Sequence, residues 1–110
     1  MAFEYEHRIQ ARIHPDHPIY VDYPDQRPQV RDLSLWGAYI EDLRPLARGR
    51  IFRLRFHLDE QNSITVKVMI RHVDEGVGMG VEFLEMSEDD RDHLRNFVGV
   101  TAGVDRLESL

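Results

Sequence analysis

The chain has 110 residues, enough for one domain around one hydrophobic core. Its 42% hydrophobic and 31% charged residues are those of a folded domain, and the absence of cysteine excludes a disulfide framework and thiolate-bound zinc. A net charge of -6 argues against a protein that coats nucleic acid, since such binding rests on neutralising many phosphates.

The start of the chain lacks the basic head and apolar core of a signal peptide, and no run is long enough to span a membrane, so a cytoplasmic protein without membrane insertion is expected. Of the 14 basic residues only Lys67 is lysine, and arginine offers a planar fork that matches phosphate edges and stacks on flat rings. An acidic body with a local arginine cluster suits a small anionic ligand better than a nucleic acid polymer.

Residues 1–18 are polar and punctuated by Pro15 and Pro18, and read as an extended arm outside the core. Arg8 and Arg12 ride on that arm. His14 and His17 lack a third ligand fixed nearby by any regular element, so no metal site is expected there.

Residues 19–23 alternate as a first strand, ended by the turn signal Pro24-Asp25-Gln26. Residues 29–35 make a second and 36–42 a third. Near the end of the second strand Asp32 and Ser34, two residues apart, emerge on one side, and Gly37 permits a turn or a close ligand approach that a side chain would block. Trp36 is expected to pack as a barrel-rim aromatic.

The clearest alternation runs over residues 50–59, where Phe52, Leu54, Phe56 and Leu58 share one face and Arg53, Arg55 and His57 the other. Residues 59–62 form a hairpin connection, after which Ile64, Val66, Val68 and Ile70 alternate with Thr65, Lys67, Met69 and Arg71. At His72 and Val73 the phase is lost. Asp74-Glu75-Gly76 turns the chain into a strand over residues 77–85. Arg53, Arg55, Lys67 and Arg71 read as a solvated sheet face, and His57 and His72 as ordinary sheet residues.

Ser87 with Asp90 three residues later is a variant capping box, and Glu88, Asp89 and Asp90 suit the positive end of a helix. Leu94, Phe97 and Val98 form its apolar stripe, and Gly99 is expected to weaken or end it. No nucleophile or general base is recognisable; Asp22 and Glu82 pair only on paper, because no spacing fixes their separation.

Three segments together resemble a known family. Arg8-x-x-x-Arg12, preceded by Glu6 and His7, is followed by Asp32-x-Ser34-x-x-Gly37 and then by Gly78-Met79-Gly80-Val81-Glu82-Phe83 ahead of Ser87-Glu88-Asp89-Asp90. The same arginine spacing recurs at Arg27/Arg31, Arg44/Arg48 and Arg91/Arg95, and position selects Arg8/Arg12. In order and spacing these segments resemble a PilZ domain over residues 6–98.

The resemblance implies a mainly β fold, a six-stranded antiparallel PilZ-type β-barrel with a C-terminal α-helix. Residues 1–18 would be a ligand-binding arm, 19–98 the barrel with its helix, and 99–110 a tail or short helix. It implies a free-standing receptor for the bacterial second messenger cyclic di-GMP, with no cofactor, no metal and no catalysis. Arg8 and Arg12 would hold phosphates and guanine faces or edges, Asp32 and Ser34 would hydrogen-bond guanine, and Gly37 would be structural. Arg31 is an added candidate by adjacency alone. His7 precedes the first motif arginine, the position that in PilZ proteins influences whether one cyclic di-GMP or a stacked pair is bound. A downstream protein partner is implied, since no output domain is read in this chain. The rival reading is a PilZ-like interaction module in pilus or flagellar motility that binds little or no nucleotide.

Overall fold

A computed structural model of the chain describes residues 13–14, 17–22 and 27–102, with side chains as far as residue 99. Six strands are followed by one helix: β1 (Tyr20–Asp22), β2 (Gln29–Leu33), β3 (Gly37–Glu41), β4 (Ile51–His57), β5 (Ser63–Asp74), β6 (Gly78–Glu85) and α1 (Glu88–Ala102). The strands close into an antiparallel barrel in the order β1-β2-β3-β6-β5-β4. Closure leaves no unpaired sheet edge to manage.

The β4–β5 hairpin follows the alternation in the sequence. Its register runs from Ile51 opposite Met69 to His57 opposite Ser63 without a shift. Leu54 and Phe56 point into the barrel with Ile64, Val66 and Val68, while Arg53 and Arg55 are exposed. The Phe56 ring meets Phe83 of β6 edge to face, centroids 5.5 Å apart, so the strand with the cleanest pattern also carries the centre of the core. Its loop is closed by Asp59, whose Oδ1 accepts from the amides of Gln61 and Asn62, both at 2.8 Å.

β5 continues through His72 and Val73 to Asp74, past the point where the sequence pattern fades. The register against β6 shifts between Ile70 and His72, and an extra residue at that bulge resets which face each side chain takes. Arg71, on the outer surface, pairs with Glu82 at 3.4 Å. Glu82 and Asp22 lie on strands that are not neighbours, β6 and β1.

The helix begins as its capping signal predicts, with the Asp90 amide donating to Ser87 Oγ at 3.0 Å. The Asp90 carboxylate, however, accepts from the Thr65 amide of β5 at 3.0 Å, and so ties the helix to the barrel wall. Leu94 and Val98 are buried in the core. Gly99 does not end the helix, which continues to Ala102. One glycine costs a helix about 1 kcal/mol, and burial of Leu94 and Val98 on the same face outweighs that.

The arm reading also needs correction at one residue. Ile13 is 4% exposed and belongs to the core. Its amide donates to the Leu33 carbonyl at 2.9 Å and its carbonyl accepts from the Leu33 amide at 3.1 Å. Among the described residues no helix is long and apolar enough to cross a membrane.

Candidate functional site

The β2–β3 hairpin is irregular where the motif lies. Val30 stands opposite Ile40, but the next pair is Asp32 opposite Tyr39, so Arg31 is an extra residue at a bulge. Val30 and Leu33 therefore both fill the core although they are three apart, and Arg31 and Asp32 are both turned away from it. A strict two-residue alternation could not present adjacent side chains in this way.

Ser34 leaves the strand and closes the turn. Its Oγ accepts from the amides of Trp36 at 3.1 Å and Gly37 at 3.2 Å, while its own amide donates to the Gly37 carbonyl at 2.9 Å. The hydroxyl, expected at the barrel surface, is in fact buried beneath the turn. Gly37 is required sterically, because a Cβ there would run into the Val81 carbonyl oxygen of β6. Trp36 is not a packed rim residue: Leu35 takes the inward position against the core, and Trp36 is left 51% exposed.

Outward from the bulge runs a chain of polar and aromatic contacts. Arg31 Nε donates to Glu41 Oε2 at 3.0 Å, and its guanidinium lies over the Tyr39 ring, 4.5 Å from the centroid. The Tyr39 hydroxyl donates to Asp74 Oδ2 at 2.6 Å, and Asp74 Oδ1 meets His72 Nε2 at 2.9 Å. Gly78 makes room for the ring, since a Cβ there would lie 2.7 Å from Tyr39 Cε1.

The network shifts its titrating groups in consistent directions. The Tyr39 hydrogen bond, helped by His72, holds the Asp74 carboxyl below the ordinary range. Burial, and then the bond to Asp74, raises the Tyr39 hydroxyl. The bond to Glu41 raises the Arg31 guanidinium.

Of the residues predicted from sequence, Asp32, Ser34, Gly37 and Arg31 come together on this hairpin. Arg8, Arg12 and His7 lie outside the described residues. Tyr39, Glu41, His72 and Asp74 were missed as members of the same surface. Their only sequence signal is that Tyr39 and Glu41 fall on alternate positions of a strand, and nothing in the sequence pairs Tyr39 with a residue 35 positions away. A second cluster joins β1 to β4, where Asp22 bonds His57 Nε2 at 2.9 Å and Arg27 Nε at 3.2 Å. Beside it a cleft of about 710 Å³ is lined by His17, Tyr20, Arg27 and the 59–61 loop. Among the described residues no three potential metal ligands come together.

The family model described as PilZ domain matches residues 5–99. The chain belongs to the PilZ family. Solved structures agree with that fold. The PilZ domain is similar to the "PilZ domain with c-di-GMP of YcgR from Escherichia coli", with a TM-score of 0.68 at 20% identity over 93% of this chain and 96% of that one. It is similar to the longer Escherichia coli YcgR in complex with c-di-GMP, with a TM-score of 0.71 at 18% identity over 93% of this chain and 49% of the other. The Bacillus subtilis inhibitor of motility, MotI/DgrA, matches with a TM-score of 0.68 at 19% identity, over 83% of this chain and 48% of that one. The chain thus spans about half the length of these last two proteins. No curated protein matches it.

Proposed function

We propose that this PilZ domain is a cyclic di-GMP receptor and not an enzyme. The observation that carries the reading is the pairing of Ile13 with Leu33, because Leu33 sits between Asp32 and Ser34 and Ile13 follows Arg12 in the chain. Ile13 is joined covalently to the second arginine of Arg8-x-x-x-Arg12, and its partner Leu33 lies within the Asp32-x-Ser34 segment, which supports a shared role for the two halves of the motif. Both halves of the motif then address one ligand. The ligand named in the YcgR complexes supports the same reading.

Cyclic di-GMP carries two phosphodiesters and two guanines. Arg8 and Arg12 would meet the phosphates with charge-assisted hydrogen bonds, and Asp32 would accept from guanine N–H donors. Ser34 and Gly37 would act through the turn they shape. By ordering the arm on the N-terminal side of Ile13, the ligand would present a new surface of arm plus nucleotide to a downstream protein in the cytoplasm. Trp36, exposed on the motif turn, would offer that partner an aromatic contact.

Calorimetric titration with cyclic di-GMP tests the proposal. Saturable binding is expected, weakened at least about tenfold in Arg8→Ala or Arg12→Ala with the fold intact. Parental affinity in both variants would refute the motif assignment, and no binding by the parent would leave the interaction-module reading in its place.

A further inference from the structure

We infer that Arg31 and Tyr39 form a prebuilt stacking platform for one guanine of cyclic di-GMP, with Arg31 contributing its flat face and not its charge. The inference rests on the receptor reading and adds a base-reading element to it. The guanidinium already covers the Tyr39 ring at 4.5 Å, and the Arg31 side chain is still 45% exposed, so its outer face is open to a second flat group. A purine laid there would complete a three-layer stack of phenol, guanidinium and base.

Both lower layers are held in place before any ligand arrives. Arg31 is fixed by Glu41 at 3.0 Å, and Tyr39 by Asp74 at 2.6 Å, its ring accommodated by the absence of a side chain at Gly78. Fixing a long side chain in advance removes the ordering cost that binding would otherwise carry. The bulge sets Arg31 beside Asp32, so a base stacked on the platform has a carboxylate within the same strand to accept from its edge.

The charge on Arg31 is already answered. Glu41 faces it directly, Asp32 lies next to it in the strand, and the raised guanidinium pKa agrees with that neutralisation. Stacking is therefore the part of arginine chemistry left for a ligand, and lysine, a compact point charge, cannot supply it. A second guanidinium–ring pair, Arg50 over Phe52 at 5.3 Å, lies beside β4, which neighbours neither β2 nor β3, and serves as a control.

The test is calorimetric titration of cyclic di-GMP into the whole chain and its Arg31→Lys, Arg31→Ala, Tyr39→Leu and Arg50→Ala variants, at low and at high salt. Arg31→Lys and Arg31→Ala should each weaken binding by about tenfold, and Tyr39→Leu by about fivefold. Arg50→Ala should bind as the parent does. The loss at Arg31 should be the same at both salt concentrations, because screening acts on charge and not on stacking. Parental affinity in Arg31→Lys would reduce Arg31 to a point charge and overturn the platform, as would parental affinity in Arg31→Ala. A parent that gives no binding heat at all would instead overturn the receptor reading and the platform with it.

Discussion

The two hairpins β2–β3 and β4–β5 are closed by the same device and built for different work. In each, one side-chain oxygen accepts from two amides of the turn, Asp59 in one and Ser34 in the other. The β4–β5 hairpin keeps perfect register, so its alternation is spent on filling the barrel and wetting its outside. The β2–β3 hairpin slips by one residue, and the slip turns exposed Arg31 and half-buried Asp32 off the core face together, beside Tyr39. Regular pairing builds the scaffold here, and the departure from it builds the surface that we propose reads the ligand.

The largest effect that sharpens this contrast belongs to the scaffold. Phe56 is fully buried, and Phe56→Ala should cost about 3–5 kcal/mol, read as a fall in the denaturant midpoint. The affinity of the remaining folded protein for cyclic di-GMP should be unchanged. In the other hairpin Gly37→Ala forces a methyl group against the Val81 carbonyl and should cost about 1–3 kcal/mol. Unlike the first variant it should also weaken ligand binding, because the turn and the bulge shift together.

Ser34→Ala removes the acceptor from the amides of Trp36 and Gly37, a loss of about 1–2 kcal/mol by chemical denaturation. If Ser34→Ala matched the parent in stability, the turn would not depend on its hydroxyl and the likeness to Asp59 would fail. The smallest effect is at Tyr39→Phe, and pH isolates it. Because Asp74 has a lowered pKa, caused first by Tyr39, its contribution is complete above about pH 4 and lost as pH falls through the lowered value. The stability gap between parent and Tyr39→Phe should therefore be constant from pH 7 to about pH 5 and close in stronger acid. At the alkaline end the raised Tyr39 keeps its proton up to about pH 10, so no second loss is expected below that.

How far the sequence could be read follows the same division. Phe52 to Leu58 and Ile64 to Ile70 alternate in the sequence because each strand has one wet and one buried face, and the barrel keeps that pattern. Asp32, Ser34 and Gly37 were visible as a motif, but their geometry was not, since a bulge leaves no mark on composition. The Tyr39–Asp74–His72 chain depends on the pairing of β3, β6 and β5, which joins residues distant in sequence. Ile13 escapes a sequence reading because the short alternation of Ile9, Ala11 and Ile13 is outweighed by the polar composition around it and by Pro15 and Pro18. Trp36 was misread because aromatic size suggests burial until the turn fixes which neighbour, Leu35, points inward.

The central claim, that the irregular hairpin is the ligand surface and the regular one is scaffold, is tested most directly by following backbone amide resonances during titration with cyclic di-GMP. Shifts are expected to concentrate at Arg31 to Gly37 and at Tyr39, with the amides of Arg53 to Phe56 and Thr65 to Val68 unmoved. Shifts centred on β4 and β5, or none anywhere at saturating ligand, would contradict it.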